Sequence, residues 1–272
     1  MSNPEIAKSI KTGSFNTNYH DLGEGEPVIF MHGSGPGVSA YANWRLAMPE
    51  ISKKFRVIAP DMVGFGYSDR PESITYSMDV WVQQIIDLMD ALNIEKAHLV
   101  GNSFGGGLAL CLAIKYPQRF DKIVLMGAMG VEFEITAGLD QAWGYTPSIE
   151  NMKVLLDTFA YSRELVTDDL AKMRYEASIR PGFQESFGSM FPQPRQNSVK
   201  AMASDEEDIK EIKNDVLIIH GRDDKVIPFE NSIRLHSLIN KSQLHSFGEC
   251  GHWSQIEHKD RFNKLLEDFF LE

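Results

Sequence analysis

The sequence is poor in cysteine, has no excess of basic residues and contains no long uninterrupted hydrophobic run. Two cysteines in 272 residues exclude a disulfide framework and suit a reducing compartment such as the cytoplasm. The 27 basic and 38 acidic residues give a net charge of −11, so the basic surface that nucleic-acid binding requires is missing. The most apolar region, residues 97–114, is interrupted by Asn102, Ser103 and four glycines, which is untypical of a membrane span. We therefore expect a cytoplasmic protein that binds neither nucleic acid nor membranes.

Short apolar runs alternate with longer helical patterns along most of the chain. Strands are predicted at residues 28–31, 56–59, 97–100, 123–126 and 216–219, and more weakly at 244–247. Apolar residues at spacings of three and four predict helices at 81–92 and 262–269. Runs that are apolar throughout are typical of strands buried on both faces of a parallel sheet. The predicted fold class is therefore α/β, with a mostly parallel central sheet flanked by helices.

The region from residue 132 to 208 interrupts this alternation, because it contains helical patterns but no convincing buried strand. It predicts a helical lid (residues 132–208) inserted into an α/β core formed by residues 1–131 and 209–272. The acidic run at residues 205–208 lacks the spacing of metal ligands. We interpret that run as a solvated helix start or a hinge.

The clearest chemical signal is Gly101-Asn102-Ser103-Phe104-Gly105. The pattern G-x-S-x-G arises by chance in roughly one chain in ten of this length, so its context matters. Here a predicted strand leads directly into it and a predicted helix follows, as a nucleophile elbow requires. Such a turn exposes the serine hydroxyl at the positive end of a helix. Ser103 is therefore the predicted nucleophile.

A serine nucleophile needs a base, and the base needs an orienting acid. After an elbow of this kind the acid precedes the histidine along the chain. His252 follows the last predicted strand, while Asp223 and Asp224 both follow the strand before it. These loops lie at the carboxyl ends of strands, where open α/β sheets bind their ligands. The sequence thus predicts His252 as the base and one of the two aspartates as the acid.

Two donors are also needed for the oxyanion of the reaction. The first predicted donor is the backbone N–H of Phe104, the residue after the nucleophile. The second comes from the glycine-rich loop at residues 32–37, with Ser34 as the predicted residue. A plain glycine-rich turn is the alternative interpretation of this loop.

These motifs resemble those of the α/β-hydrolase superfamily and, within it, the meta-cleavage-product C–C hydrolases of bacterial aromatic degradation. The branch they resemble most is the 2-hydroxymuconate-semialdehyde and alkyl-substituted dienoate hydrolases. The resemblance covers nearly the whole chain. The segments that carry it are residues 32–37, 61–69, 101–107, 174–183 and 251–253. The family's spacing around the acid favours Asp224 over Asp223.

The resemblance implies that the substrate is a 2-hydroxy-6-oxo-hexa-2,4-dienoate, cleaved by water at C5–C6 without a metal or organic cofactor. Two routes stay open: an acyl-enzyme on Ser103, or a gem-diol from water activated by His252. The net negative charge of the chain means that the substrate carboxylate needs a local cation, and Arg180 is the predicted one. Asn43, Asn102 and Trp253 are the other predicted ligands of the dienoate. A surface role for Arg180 and a packing role for Trp253 are the alternatives.

The apolar part of the pocket is expected to select the departing acyl group. Met129, Trp143, Val199 and Ile227 are the predicted residues, and ordinary core packing is the alternative for each. A methionine at position 129 occupies more volume than an alanine, which predicts a small acyl group such as formyl or acetyl.

Other functions of the same scaffold remain in competition. A carboxylesterase acting on small esters would use the same triad, although a simple ester pocket has no use for a buried cation. Dehalogenases and epoxide hydrolases of this fold carry an aspartate at the elbow, unlike Ser103. A non-catalytic binding module has no reason to keep nucleophile, acid and base together. Because members of the family tend to associate, we expect a homodimer or higher homo-oligomer.

Overall fold

The computed structural model describes residues 3–272. Its strands are β1 (Lys8–Thr12), β2 (Phe15–Leu22), β3 (Pro27–Met31), β4 (Arg56–Pro60), β5 (Ala97–Asn102), β6 (Phe120–Met126), β7 (Val216–Gly221) and β8 (Ser242–Phe247). Its α-helices are α1 (Ala40–Trp44), α2 (Met48–Ile51), α3 (Met78–Ala91), α4 (Phe104–Lys115), α5 (Ala137–Trp143), α6 (Ile149–Phe159), α7 (Asp168–Ser178), α8 (Phe183–Met190), α9 (Gln196–Ala201), α10 (Glu206–Lys210), α11 (Phe229–Leu238), α12 (Ser254–Glu257) and α13 (Lys259–Leu271).

All eight strands form one sheet in the order β1-β2-β4-β3-β5-β6-β7-β8. Strands β3 to β8 run parallel, while β2 pairs antiparallel with β4 and β1 pairs antiparallel with β2. The predicted α/β class and all six predicted strands are confirmed. The β1–β2 hairpin was not predicted, because its strands are rich in polar residues and lack the apolar runs of the central ones.

The central strands are apolar throughout because helices cover both faces of the sheet. On one face, α3 and α4 pack on the sheet through residues such as Trp81 and Leu108. On the other face, the buried cluster includes Trp44 of α1 together with Phe262 and Leu266 of α13. Helices α3 and α13 each bury one apolar stripe, which explains the spacings of three and four in their sequences. This two-sided packing fixes the carboxyl ends of the parallel strands in space.

The segment between β6 and β7 contains helices α5 to α10 and no strand in the part of the chain that the structure describes. Its two ends lie close together, since the Ser204 amide donates to the Gly130 carbonyl at 2.9 Å. The acidic run begins α10, whose cap is the Asp205 side chain accepting from the Glu207 amide, so the predicted helix start is confirmed. The division into a core (residues 1–131 and 209–272) and a lid (residues 132–208) stays a prediction.

Candidate active site

Ser103 occupies a strained turn between β5 and α4. Its φ of 55° and ψ of −114° are rare for a residue with a side chain. The turn is possible because its neighbours lack side chains: a Cβ at Gly101 would lie 2.1 Å from the Gly105 carbonyl oxygen. A Cβ at Gly105 would lie 2.3 Å from the Met31 carbonyl oxygen. Across residues 3–272 the Ser103 hydroxyl has no protein hydrogen-bond partner, so it is available to a ligand.

His252 and Asp224 form the charged part of the site. The imidazole Nδ1 lies 2.7 Å from Asp224 Oδ2, and the Asp224 side chain is wholly buried. Its other oxygen accepts from the amides of Val226 and Ile227 at 2.7 and 3.1 Å. Burial alone would raise the pKa of Asp224, but the His252 and His220 imidazoles outweigh burial and hold that pKa well below its usual range. The acid is therefore ionised at neutral pH.

Asp224 rather than Asp223 is thus the carboxylate next to the histidine. The Asp223 side chain is partly exposed and lies near Arg222. The contact with Asp224 fixes the hydrogen of His252 on Nδ1, which leaves Nε2 able to accept a proton. Ser103 and His252 line the same cavity without a direct hydrogen bond. A contact of this kind often tightens only when substrate is bound.

The loop after β3 is held rigidly beside the elbow. The Asn43 side chain accepts from the Gly33 amide at 3.1 Å, and the Trp143 indole N–H donates to the Ser34 hydroxyl at 3.0 Å. Among the residues that the structure describes, the amides of Ser34 and Phe104 have no protein acceptor. Both predicted oxyanion donors are therefore free to bind a ligand.

A cavity of about 380 Å³ joins these groups, a volume typical of a small-molecule site. Its apolar wall comes largely from helices α5 and α6, through Leu139, Ala142, Trp143, Met152, Leu156 and Phe159. Its polar lining includes Ser34, Asn43, Asn102, Ser103 and His252. In the described part of the chain, no three His, Cys, Asp or Glu side chains are arranged to hold a metal ion. No helix in that part is long and apolar enough to cross a bilayer.

Comparison with known proteins identifies the family. The chain matches the family model of the alpha/beta hydrolase fold over residues 26–259. It is 56% identical to the 2-hydroxy-6-oxo-2,4-heptadienoate hydrolase of Pseudomonas putida strain F1, over 98% of this chain and 97% of that protein. It is also 56% identical to the 2-hydroxymuconate semialdehyde hydrolase of Pseudomonas sp. strain CF600, over 100% and 96% of the two chains. The chain is a meta-cleavage product hydrolase of the α/β-hydrolase fold family.

Solved structures agree with this assignment. The meta-cleavage product hydrolase CumD of Pseudomonas fluorescens IP01, an S103A mutant complexed with acetates, matches this hydrolase with a TM-score of 0.98. The two share 64% sequence identity over 98% of each chain. A 2-hydroxy-6-oxo-6-phenylhexa-2,4-dienoate hydrolase from Rhodococcus sp. strain RHA1 matches with a TM-score of 0.90 at 30% identity, over 98% of this chain and 99% of that one.

The structure brings most of the predicted site residues of this hydrolase together. Those that line the cavity are Ser34, Asn43, Asn102, Ser103, Trp143, His252 and Trp253. Asp224 lies behind His252, and Phe104 begins the helix after the nucleophile. Their catalytic and binding roles remain proposals.

Arg180, the predicted cation for the substrate carboxylate, is not among the residues that line the cavity. Its guanidinium donates to the carbonyls of Gly66 and Ala177 at 2.8 and 3.1 Å and lies 4.0 Å from the centre of the Tyr67 ring. These contacts hold the guanidinium on backbone carbonyls and an aromatic ring. The cations that line the cavity are instead Arg45 and Arg174.

Three of the predicted specificity residues also lie outside the cavity. Met129, Val199 and Ile227 are wholly buried in the core, so none exposes surface to a ligand. Ile227 has a different role, since its amide and carbonyl contact Asp224 and His220 respectively. Apolar character alone cannot distinguish a core residue from a pocket residue, because both environments exclude water.

Sequence reasoning missed several polar residues that line the cavity, among them Glu5, Arg45, Arg174 and Gln255. Arg174 pairs with Glu5 at 2.6 Å, and both side chains are largely buried. The Gln255 side-chain oxygen is buried and has no hydrogen-bond partner among residues 3–272. The spacing of Arg174 could have indicated its position. It stands four residues after Leu170, so both side chains lie on the same face of α7, the face that lines the cavity.

Proposed function

We propose that this hydrolase cleaves the C5–C6 bond of a 2-hydroxy-6-oxo-hexa-2,4-dienoate, with Ser103, Asp224 and His252 as its catalytic triad. One observation carries the proposal: a single cavity contains the nucleophile and base together with the guanidinium groups of Arg45 and Arg174. An ester pocket needs only the triad, whereas a dienoate also needs cations for its carboxylate. The relatives named for such dienoate substrates support this choice.

Arg45 and Arg174 are proposed to bind the substrate carboxylate. The Arg174 guanidinium is held by Glu5 and donates to the Gly37 carbonyl at 3.2 Å, so it is ordered before substrate arrives. The Arg45 guanidinium donates to the Ala42 carbonyl at 2.7 Å and has no carboxylate partner within residues 3–272. Its charge is thus available to a ligand. Burial and the neighbouring Arg174 lower the pKa of Arg45, as an uncompensated buried cation requires.

The reaction begins with ketonisation of the dienol. The 2-hydroxyl loses its proton and C5 gains one, and His252 Nε2 is the group proposed to carry that proton. Ser103 Oγ then attacks the C6 carbonyl carbon while its own proton passes to His252. The new oxyanion is stabilised by the amides of Ser34 and Phe104, which donate to no other protein group among residues 3–272.

The tetrahedral intermediate then collapses, and its oxyanion re-forms a carbonyl as the carbon–carbon bond breaks. The C5–C6 bond breaks, its electron pair is delocalised into a dienolate, and protonation gives 2-hydroxypenta-2,4-dienoate. Water activated by His252 then hydrolyses the acyl group from Ser103 and releases a carboxylic acid. The apolar wall from α5 and α6 would contact the C6 substituent, and the cavity of about 380 Å³ suits a small group such as formyl or acetyl.

The test is spectroscopic, because cleavage removes the extended dienolate chromophore. The wild-type protein should bleach the 6-H and 6-methyl dienoates with higher kcat/KM than the 6-isopropyl and 6-phenyl compounds. Ser103→Ala should reduce kcat by at least about 10³-fold, since no other group supplies the nucleophile. Ser237→Ala, which changes an exposed serine of α11, is the matched control and should keep wild-type activity. Efficient turnover of p-nitrophenyl acetate without bleaching of any dienoate would favour the carboxylesterase alternative.

We also propose that residues 132–208 act as a lid over the site and that the protein works as a cytoplasmic homo-oligomer. Exposed apolar side chains at Val154 and Met173, 46% and 55% accessible, support association through the helical segment. Light scattering coupled to size-exclusion chromatography tests this point. A monomer at micromolar concentration would contradict it.

A further inference from the structure

The Asp224 carboxylate contacts a second imidazole besides His252. His220 Nε2 lies 3.2 Å from Asp224 Oδ2, the same oxygen that His252 Nδ1 approaches to 2.7 Å. The side chains of His220 and Asp224 are both wholly buried. The candidate acid is therefore shared between two histidines, of which only His252 lines the cavity.

The surroundings of His220 fix its tautomer. Its Nε2 lies within hydrogen-bond distance of two acceptors, the Asp224 carboxylate and the Ile227 carbonyl at 3.1 Å. Neither acceptor has a hydrogen to donate, so Nε2 must carry one. Its Nδ1 lies 2.6 Å from the hydroxyl of Ser232, which is wholly buried on α11 and can donate to it. The Nε2 of His220 is thus a donor aimed at the acid.

Few other groups act on this pair of histidines. Within residues 3–272, Asp224 is the one carboxylate at ion-pair distance from either imidazole. The Phe229 ring packs edge-on against His220, with 5.5 Å between the ring centres. The elements around His220 therefore supply a hydroxyl, a carbonyl and an aromatic edge, but no second charge.

We propose that His220 is a positioning residue, which holds Asp224 Oδ2 in place and draws part of its negative charge away from His252. This inference rests on the proposed triad, because it assumes that His252 is the base. Without the His220 donor the carboxylate can rotate, so the imidazole is oriented less well and kcat falls. The remaining hydrogen bond to His252 also faces a less neutralised carboxylate, which favours the protonated form of His252.

The experiment compares three variants with the wild type. His220→Phe removes the donor, His220→Gln keeps an N–H of similar reach, and Ser232→Ala removes the group that fixes the tautomer. The matched control is His236→Phe. His236 is an exposed histidine of α11, the helix that carries Ser232, and it also contacts a serine hydroxyl. Circular dichroism melting establishes that each variant is folded before kinetics are measured.

Two readouts are used, each as a function of pH. The first is kcat and KM for the 6-methyl dienoate. The second is the rate at which a fluorophosphonate labels Ser103, a step in which an Oγ–P bond forms, fluoride leaves and the serine proton passes to His252. His220→Phe should lower kcat and the labelling rate about tenfold, with KM within twofold of wild type. The acid limb of both profiles should move up by roughly half a pH unit. His220→Gln should recover most of the rate, and Ser232→Ala should lose about threefold.

Wild-type rates and profiles in His220→Phe would overturn the inference. So would equal losses in the Phe and Gln variants with an unmoved acid limb, since that result indicates packing alone. If the Phe variant fails to fold, the Gln and Ser232→Ala variants still decide, because wild-type kcat and labelling rates in Ser232→Ala would contradict a positioning role that depends on an ordered His220. Failure of the proposed function has a different signature. Normal labelling without dienoate turnover contradicts the substrate, and normal labelling in His252→Ala contradicts the triad.

Discussion

Protonation of His32 is expected to destabilise the folded protein strongly between neutral and mildly acidic pH. His32 begins the loop that carries Ser34, and its ring is wholly buried. Its Nε2 accepts from the Met62 amide at 3.0 Å, and its Nδ1 lies 2.7 Å from the Gly33 carbonyl. A proton on Nε2 would face the Met62 N–H and break that hydrogen bond. Burial accordingly lowers the pKa of His32 from 6.5 to about 4.

The size of the effect follows from that difference. As the pH falls below 6.5, His32 becomes protonated in the unfolded chain, whereas in the folded chain it stays neutral until about pH 4. The free energy of unfolding therefore decreases as the pH is lowered through this window. The full change corresponds to roughly 3 kcal/mol. Asp61 has the opposite effect on stability. Burial raises its pKa from 3.8 to about 6, so as the pH falls the folded state binds this proton before the unfolded state does, which stabilises the folded protein. The two contributions oppose each other, so the wild-type pH profile alone cannot reveal either one.

A His32→Gln variant isolates the histidine, because its amide oxygen can still accept from Met62 but does not titrate. Urea unfolding of both proteins should be measured at several pH values from 7 to 4. The free energy of unfolding of the wild type minus that of the variant should fall by roughly 3 kcal/mol over this range, while the contribution of Asp61 cancels. A difference that stays constant within about 0.5 kcal/mol would refute the argument that His32 is buried in its neutral form.

Three other substitutions test the cavity. Arg45→Gln and Arg174→Gln should each raise KM for the dienoate about tenfold with little change in kcat, because a carboxylate contact is made before the reaction and kept through it. Arg119→Gln, on the surface beyond the end of α4, is the control, and wild-type KM values in both cavity variants would remove the proposed carboxylate subsite. Trp143→Phe should lower kcat/KM about threefold, because the hydrogen bond to the Ser34 hydroxyl is lost while an aromatic ring remains. An unchanged value would mean that this bond does not orient the oxyanion loop.

The arrangement of the candidate triad could be predicted because its members are fixed by local rules. The Ser103 turn is specified by its own glycines, which alone permit the backbone to approach Met31 and Gly105. Asp224 and His252 follow β7 and β8, which are neighbours in the sheet. Since parallel neighbours end at one edge, their following loops must meet there. The order of the three residues along the chain and the order of the strands in the sheet were together sufficient for this prediction.

The ligand-binding residues could not be predicted in the same way. Arg174 and Arg180 stand six residues apart, yet only Arg174 lines the cavity. The difference arises because α7 ends at Ser178, so Arg180 follows a changed chain direction and finds backbone carbonyls instead. Where a helix ends and how it packs on the core depend on tertiary structure, which the local sequence does not specify. A sequence motif that contains two arginines does not say which one faces the ligand.

The helical segment between β6 and β7 contacts the candidate catalytic groups and also forms walls of the cavity. From α5, the Trp143 indole holds the Ser34 hydroxyl beside the oxyanion donors. From the end of α6, the Phe159 carbonyl accepts from the His252 amide at 2.7 Å. The same segment therefore anchors the oxyanion loop and the base, which the core brings together from distant parts of the sequence. Because both contacts come from this segment, we expect any movement of it to loosen the Ser34 loop and His252 together. We likewise expect that removing residues 132–208 would disorder both groups and abolish dienoate turnover.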